Sequence, residues 1–218
     1  MNSELNIVMY HYVRPIIGSE FPNIKGLELE AFKRQLDFFQ ENFSIVNAQE
    51  VIEASKHGAD LPSKPLWLTF DDGLKDHIDY AFPELKRRRI QGTFFPSFKP
   101  FKELGLLEVH AIQFILEKIT DDELLLSSLK EECLKHSLTE EEYVEFWRTT
   151  NRSSRYDSEA IVFFKTLLQR NLAHEMRTNI IKKLFIKHVG ISQQAFAKQL
   201  YMGMDIGTAK PTKKQIKR

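Results

Sequence analysis

Short apolar runs alternate with amphipathic runs along the first hundred residues, and this alternation limits the fold more than any other feature of the sequence. Four short runs rich in β-branched and aromatic residues predict strands, at 6–13, 43–46, 65–70 and 91–96. Three runs with apolar residues three and four apart predict helices, at 27–42, 48–57 and 75–89. We expect Pro83 to break or kink the last of these helices. Strands that alternate with helices predict parallel β/α units, in an open sheet or a barrel.

After residue 103 the strand patterns stop and helical periodicity takes over. The predicted helices cover six runs, 108–119, 121–136, 139–148, 158–170, 173–189 and 192–200. Thr139 and Ser192 are predicted N-caps, and a glutamate three residues after Thr139 adds the second half of a capping box. We therefore predict an α/β chain in three segments: a β/α segment at 1–103, a helical segment at 104–200, and a basic, disordered tail at 201–218.

Charge and composition exclude several classes of partner. With 31 Lys and Arg against 30 Asp and Glu, the formal net charge is +1, so no global field attracts nucleic acid or an anionic membrane. No stretch reaches the roughly 18 apolar residues that a membrane span needs, and no secretory signal pattern opens the chain. We expect a cytoplasmic protein without a nucleic-acid partner. The single cysteine, Cys133, is predicted to be a packing residue.

Two adjacent aspartates follow the third predicted strand, in the run Thr69–Gly73. The carboxyl ends of parallel strands are where catalytic groups gather in β/α folds. Adjacent carboxylates repel each other unless a cation lies nearby, and a divalent metal with a bound water would provide that cation. From the residues alone, a plain turn with a helix cap is the alternative reading of this run.

Other candidate residues lie near this motif. His11 lies near the end of the first predicted strand, so it could line the same site as a substrate or metal contact, with a structural histidine as an equal alternative. His77 follows the motif, and we expect it to face solvent. Four further histidines on charged helices are predicted surface residues, at His110, His136, His174 and His188. Four phenylalanines after the motif are predicted core residues rather than a platform for sugar stacking, at Phe94, Phe95, Phe98 and Phe101.

Three runs, 68–73, 83–86 and 90–95, resemble in order and spacing the opening of the polysaccharide deacetylase (NodB-homology) family. That opening reads strand, T-F-D-D-G, helix, G-T-F-F. The run Met9–Val13 is also similar to the M-Y-H strand that begins the barrel in one sub-group of the family. The resemblance covers about residues 5–100.

The resemblance implies a partial, distorted (β/α) barrel, in which residues 104–200 form a large all-helical insertion. It implies metal-dependent hydrolysis of N-acetyl groups on a carbohydrate substrate. Asp71 would be the catalytic base and Asp72 a metal ligand, while Tyr10 and His11 would contact the substrate. The implied cofactor is a divalent metal, with Zn²⁺ the expected ion, completed in the family by two histidines of an H-[ST]-x-x-H motif.

The sequence departs from the family pattern at these two histidines. No two histidines of the chain lie four residues apart, and Ala209 and Lys213 occupy the positions where the family has its ligands. The run 201–212 is instead similar to a segment of tRNA dimethylallyltransferases, but the chain has no phosphate-binding loop, so we do not assign that activity. The expected explanation is a truncated or recombined frame with a foreign tail, weakly active or inactive alone. The alternative is a non-catalytic remnant that binds glycan.

Overall fold

The computed structural model describes residues 4–103, 105–150 and 152–202. Within these residues the chain forms two compact units. One, here called the sheet unit, contains residues 4–18, 26–103 and 197–202. The other, here called the helical unit, contains residues 19–25, 105–150 and 152–196. The structure is mixed α/β with a small parallel sheet, as the alternating pattern predicts.

All strands in the described residues belong to the sheet unit. They are β1 (Asn6–Tyr10), β2 (Val13–Arg14), β3 (Leu27–Glu28), β4 (Ser44–Val46), β5 (Pro65–Asp71) and β6 (Thr93–Phe95). Strand β5 is central to a four-stranded parallel sheet and pairs with β1 along its length, from Asn6 opposite Leu66 to Tyr10 opposite Phe70. Strand β4 pairs with the start of β5 and β6 with its end. The predicted parallel pairing is confirmed, whereas the barrel stays a prediction.

The helices of the sheet unit follow the predicted runs, except for the last and shortest one, which was not predicted. They are α1 (Leu29–Asn42), α2 (Ala48–His57), α3 (Phe82–Arg88) and α4 (Lys99–Glu103). Helix α3 is preceded by a π-helical turn, His77–Ala81, which is closed by the Phe82 N–H on the His77 carbonyl. Pro83 lies in the first turn of α3, directly after the π-helical turn, and has no backbone N–H to donate. The regular α-helical hydrogen-bond pattern is thus interrupted immediately before Pro83, within the predicted helix 75–89.

Aromatic side chains fix the core on one face of the sheet. The ring of Tyr10 stacks on Phe70 and meets Phe32 of α1 edge to face, with centroids 5.1 Å apart in both pairs. Leu68 and Leu85 complete this core, which α1 and α3 cover. Because side chains alternate along a strand, the residues of β5 that flank Phe70 point to the opposite face. Asp71 is one of them.

The helical unit is an all-helical body with its own aromatic core. Its helices are α5 (Glu108–Lys118), α6 (Asp122–Lys135), α7 (Glu140–Thr149), α8 (Glu159–Thr166), α9 (His174–Val189) and the first half of α10 (Gln193–Leu200), whose residues from 197 onward belong to the sheet unit. Thr139 and Glu142 form the predicted capping box of α7. Phe114 and Phe185 both pack against Phe196. Across the described part of the chain, no helix is both long and apolar enough to span a membrane.

Candidate active site at the carboxyl end of β5

The backbone turns sharply as it leaves β5, and this turn sets the position of both motif aspartates. Asp71 is the last residue of the strand and lies opposite Phe95 of β6. Asp72 and Gly73 both have left-handed backbone conformations, with φ of +72° and +66°. The Asp72 N–H donates to the Phe95 carbonyl at 2.9 Å, so the turn stays attached to the sheet. Both carboxylates are partly exposed at the carboxyl edge of the sheet.

Gly73 is required for more than its backbone angle. A Cβ atom at this position would lie 2.9 Å from Cβ and 3.1 Å from Cα of Pro96, which follows β6. The Gly73 carbonyl also accepts a hydrogen bond from the Met202 N–H at 3.0 Å, next to an antiparallel bridge between Leu74 and Tyr201. The missing Cβ of Gly73 therefore allows the close approach of Pro96, while its carbonyl binds the segment that contains Met202.

His11 reaches the same edge from β1. Its Nε2 lies 3.7 Å from Oδ2 of Asp72, beyond hydrogen-bond distance but close enough for an ion pair when the imidazole is protonated. The His11 carbonyl lies 2.8 Å from Nε2 of His77. Since a carbonyl only accepts, Nε2 of His77 carries the proton and Nδ1 is the unprotonated nitrogen. His77 thus positions the chain bend that presents His11 to Asp72.

His77 is completely buried, so the prediction that it faces solvent is wrong. Burial lowers the pKa of its imidazole, which favours the neutral ring. Its Nδ1 is buried without a hydrogen-bond partner among the described residues. The sequence carried a signal that could have placed it. His77 lies one helical turn beyond Gly73, and a helix that starts at a sheet edge returns a side chain to that edge after about four residues.

A buried ion pair lies beside His77. Arg14 donates from Nε and Nη2 to the two carboxylate oxygens of Asp76, at 2.6 and 2.8 Å. Burial raises the pKa of Asp76, and the Arg14 guanidinium opposes this shift. The pair ties the strand after His11 to the turn after Gly73. Sequence reasoning singled out neither residue, although both lie within four residues of a predicted site residue.

Tyr10 is not brought to this cluster. It is 5% exposed, its hydroxyl donates to Oε1 of Gln35 at 3.0 Å, and its ring is part of the core described above. Burial raises the pKa of its phenol. The structure thus places Tyr10 on the covered face of the sheet and His11 at the edge. His110, predicted to be a surface residue, is also buried, within the helical unit.

An exposed aromatic side chain adjoins Asp71. Paired residues of neighbouring parallel strands point to the same face, so Phe95 and Asp71 share the face opposite the core. Phe95 is 47% exposed and meets Trp67 edge to face at 6.1 Å. Phe98 is 72% exposed. The prediction that these two phenylalanines are core residues is therefore wrong, whereas Phe94 packs against the core as predicted.

The described residues do not make a complete site for a divalent metal. His11 and Asp72 could give two ligands, and in residues 4–103, 105–150 and 152–202 no group of three or more His, Cys, Asp or Glu could hold an ion. A structural or catalytic zinc site needs at least three protein ligands. Ala209 and Lys213, at the positions where the family has its histidines, lie outside the described residues, as does most of the segment 201–212.

Comparisons with known proteins give partial structural matches. The sequence matches no family model and no curated protein. A de-N-acetylase from Aggregatibacter actinomycetemcomitans is 24% identical over 42% of this chain and 37% of that chain, with a TM-score of 0.37. IcaB from Ammonifex degensii is 30% identical over 43% of this chain and 40% of that chain, with a TM-score of 0.35. The Streptococcus pyogenes deacetylase PplD, in complex with acetate, is 25% identical over 54% of this chain and 53% of that chain, with a TM-score of 0.42.

The neighbours whose names state an activity are deacetylases. The chain spans between 37% and 53% of the length of these three structures. Alignments with TM-scores below 0.5 do not establish a shared fold, so the functional proposal rests on the site residues themselves. None of the comparisons supports the similarity of residues 201–212 to tRNA dimethylallyltransferases.

Proposed function

We propose that the chain is a carbohydrate deacetylase homologue that binds an N-acetylated sugar at the carboxyl end of β5. One observation carries the proposal. Asp71 and Asp72 leave β5 at the same edge at which His11 leaves the neighbouring strand β1, with His11 3.7 Å from Asp72. The carboxyl edge of a parallel sheet is where β/α enzymes bind their ligands. The T-F-D-D-G resemblance assigns the class of reaction.

In the proposed reaction Asp71 is the general base and His11 contacts the substrate. Asp71 accepts a proton from a water molecule whose oxygen forms a bond to the acetyl carbonyl carbon. The carbon–nitrogen bond then breaks, and the proton leaves with the nitrogen, so that the products are acetate and a free amine. A positioned base contributes about 10²–10⁴ in rate, far below the 10⁶ or more of a complete enzyme. We therefore propose that turnover of this chain alone is weak or absent.

Acetate release from an N-acetylglucosamine oligomer tests the reaction. We expect a low rate that Asp71→Asn abolishes, because the amide keeps the shape of the side chain and removes the base. Asp79→Asn is the matched control, since Asp79 is an exposed aspartate that pairs with Lys75 in the next turn. Fast turnover would refute the claim of weak activity. A low rate unchanged by Asp71→Asn would refute the role of Asp71.

The divalent metal stays a proposed cofactor, and a titration tests it independently of turnover. We expect Zn²⁺ to bind weakly, because Asp72 gives one ligand, and even the addition of the neighbouring His11 would leave fewer ligands than a zinc site needs. Isothermal titration should show that Asp72→Ala removes this binding while Asp79→Ala does not. Equal binding by the wild-type chain and Asp72→Ala would remove Asp72 from the proposed ligand set.

The exposed ring of Phe95 supports a second candidate, a non-catalytic glycan-binding protein. Exposed aromatic faces bind the apolar faces of sugar rings, and Phe95 lies next to Asp71 with Trp67 behind it. If the chain is a non-catalytic glycan-binding protein, neither a chelator nor Asp72→Ala affects binding of the oligomer, whereas Phe95→Ala abolishes it. Phe82→Ala is the control, since Phe82 is equally exposed (50%) but lies at the start of α3. Acetate release that depends on Asp71 would exclude this candidate.

A further inference from the structure

The helical unit contains a cavity of about 280 Å³ to which neither proposed function assigns a role. Its lining comes from the segment before β3, from helix α5 and from helix α8. The side chains that matter here are Lys25, Gln113, Leu116, Glu117, Ile161 and Lys165. The volume lies near the lower end of the roughly 300–1,000 Å³ of small-molecule sites, so the cavity suits a small metabolite rather than a polymer.

Two buried acceptors lie on one side of this cavity. Gln113 and Glu117 are four residues apart on α5, so their side chains are neighbours on one helix face. The Glu117 side chain is 3% exposed. Its Oε1 accepts from the Asn23 N–H at 3.3 Å, and its Oε2 is buried with no hydrogen-bond partner among the described residues. Among the described residues, Glu117 forms an ion pair with Lys118 alone, at 3.7 Å.

Gln113 adds a second unsatisfied oxygen. Its Oε1 is also buried without a hydrogen-bond partner in the described part of the chain. A buried acceptor without a donor destabilises the folded chain. Two such acceptors lie next to each other here, and one of them is a carboxylate, so a ligand group with several N–H or O–H donors would satisfy both. An ammonium group offers three donors and the opposite charge to Glu117.

The opposite charge is present elsewhere in the lining. The ammonium groups of Lys25 and Lys165 both pair with the carboxylate of Asp157, in the second case at 2.6 Å. Two cations share one anion, so the three groups together carry a net charge of +1, with Lys165 the less exposed of the two lysines (28% against 61%). Leu116 and Ile161 contribute apolar surface to the same lining. The cavity therefore combines an acceptor side, a cationic side and an apolar wall.

We propose that this cavity is a binding site for a small zwitterion. The amine of the ligand donates to Glu117 and Gln113, and its carboxylate or phosphate binds at Lys25 and Lys165. A free amino acid and an amino sugar phosphate share this chemistry. This site and the proposed sugar site have no residue in common, so the two proposals are tested independently of each other.

Isothermal titration of the full chain with leucine and with glucosamine 6-phosphate tests the proposal. We expect one of the two to bind with a dissociation constant of about 1 mM or tighter. Analogues that lack one of the two charges should bind at least about tenfold more weakly. For leucine these are N-acetylleucine, which lacks the ammonium, and leucinamide, which lacks the carboxylate. For glucosamine 6-phosphate they are N-acetylglucosamine 6-phosphate and glucosamine. Which of the two zwitterions binds identifies the anionic group. Failure of both to bind at concentrations well above 1 mM overturns the proposal.

Two variants that preserve shape connect binding to the cavity. Glu117→Gln removes the charge of the acceptor side, and Lys165→Met removes the ammonium while it keeps the stem. Each should weaken binding by about tenfold or more. Glu175→Gln and Lys182→Met, at exposed positions of α9, are the matched controls and should bind as the wild type does. Glu117→Gln should raise the melting temperature of the free chain or leave it unchanged, because it removes an unsatisfied buried charge. Wild-type affinity in this variant overturns the proposal.

Discussion

A methyl group added at Gly73 should destabilise the sheet unit much more than the same methyl group at Gly58. Both glycines belong to that unit and have nearly the same backbone angle, with φ of +66° and +69°. A Cβ at Gly58, which ends helix α2, would meet nothing within 4 Å. A Cβ at Gly73 would lie 2.9 Å from Pro96. The pair of alanine variants therefore separates the cost of crowding from the cost of the left-handed backbone.

The left-handed conformation costs an alanine roughly 1–2 kcal/mol. The lower entropy of the unfolded alanine chain returns about 0.4–1 kcal/mol. Gly58→Ala should therefore lower the free energy of unfolding by about 0–1.6 kcal/mol. Gly73→Ala carries the same cost plus overpacking against Pro96, typically 1–3 kcal/mol. Relief of the clash would move Pro96 away and stretch the hydrogen bond between the Asp72 N–H and the Phe95 carbonyl, 2.9 Å long in the native chain.

Urea unfolding followed by tryptophan fluorescence measures the difference. The chain has two tryptophans, Trp67 in the sheet unit and Trp147 in the helical unit. In a Trp147→Phe background the signal comes from Trp67 alone, whose Nε1 donates to Thr93 Oγ1 at 2.8 Å between β5 and β6. We expect Gly73→Ala to unfold at lower urea than Gly58→Ala, with a difference of about 1–3 kcal/mol. Equal free energies of unfolding for the two variants, within about 0.5 kcal/mol, would refute the proposed close packing of Gly73 on Pro96.

Three further predictions concern buried groups. Because burial lowers the pKa of His77, the folded chain binds its proton less readily than the unfolded chain. The free energy of unfolding of the sheet unit should therefore fall as the pH decreases from 6.5, the usual histidine pKa, through the lower pKa of the folded chain. Urea unfolding at several pH values should show a weaker pH dependence for His77→Asn than for the wild type. Tyr10→Phe should lower the free energy of unfolding by about 1 kcal/mol, because the hydrogen bond to Gln35 is lost. Titration should show unchanged binding of the N-acetylglucosamine oligomer, and weaker binding would indicate that Tyr10 contacts the substrate. Burial raises the pKa of the Cys133 thiol to about 12, so little reactive thiolate forms at pH 8. An aromatic disulfide reagent at that pH should therefore react with Cys133 only as fast as the helical unit opens. Rapid reaction of the native chain would contradict the burial of Cys133.

Periodicity and cap residues made much of the secondary structure predictable. The helix predicted at 48–57 has those bounds because Asn47 and Glu50 form a capping box at its start and Gly58 adopts a left-handed angle at its end. The strand at 65–70 was predictable because it is apolar on both faces, and in the structure it has strand neighbours on both edges. These signals are local, so a single sequence reveals them.

Residues whose environment depends on distant segments were predicted poorly. His77 was expected to face solvent, but its ring is buried and its Nε2 donates a hydrogen bond to the His11 carbonyl, 66 positions away in the sequence. Phe95 was expected in the core together with Phe94. Strand alternation directs only Phe94 to the covered face. The pairing of Arg14 with Asp76, 62 positions apart, likewise has no local signal.

Strand β5 has a consequence for the order of events during synthesis of the chain. The first strand, β1, has β5 as its partner in the sheet, and Asn6 lies opposite Leu66, sixty residues later. Strand β4 also pairs with β5, and β6 follows it. Every pair of this sheet involves residues 65–71, so the apolar residues Ile7 and Met9 remain unpaired until that strand has left the ribosome. Chaperones that bind extended apolar segments would meet the nascent chain in this interval.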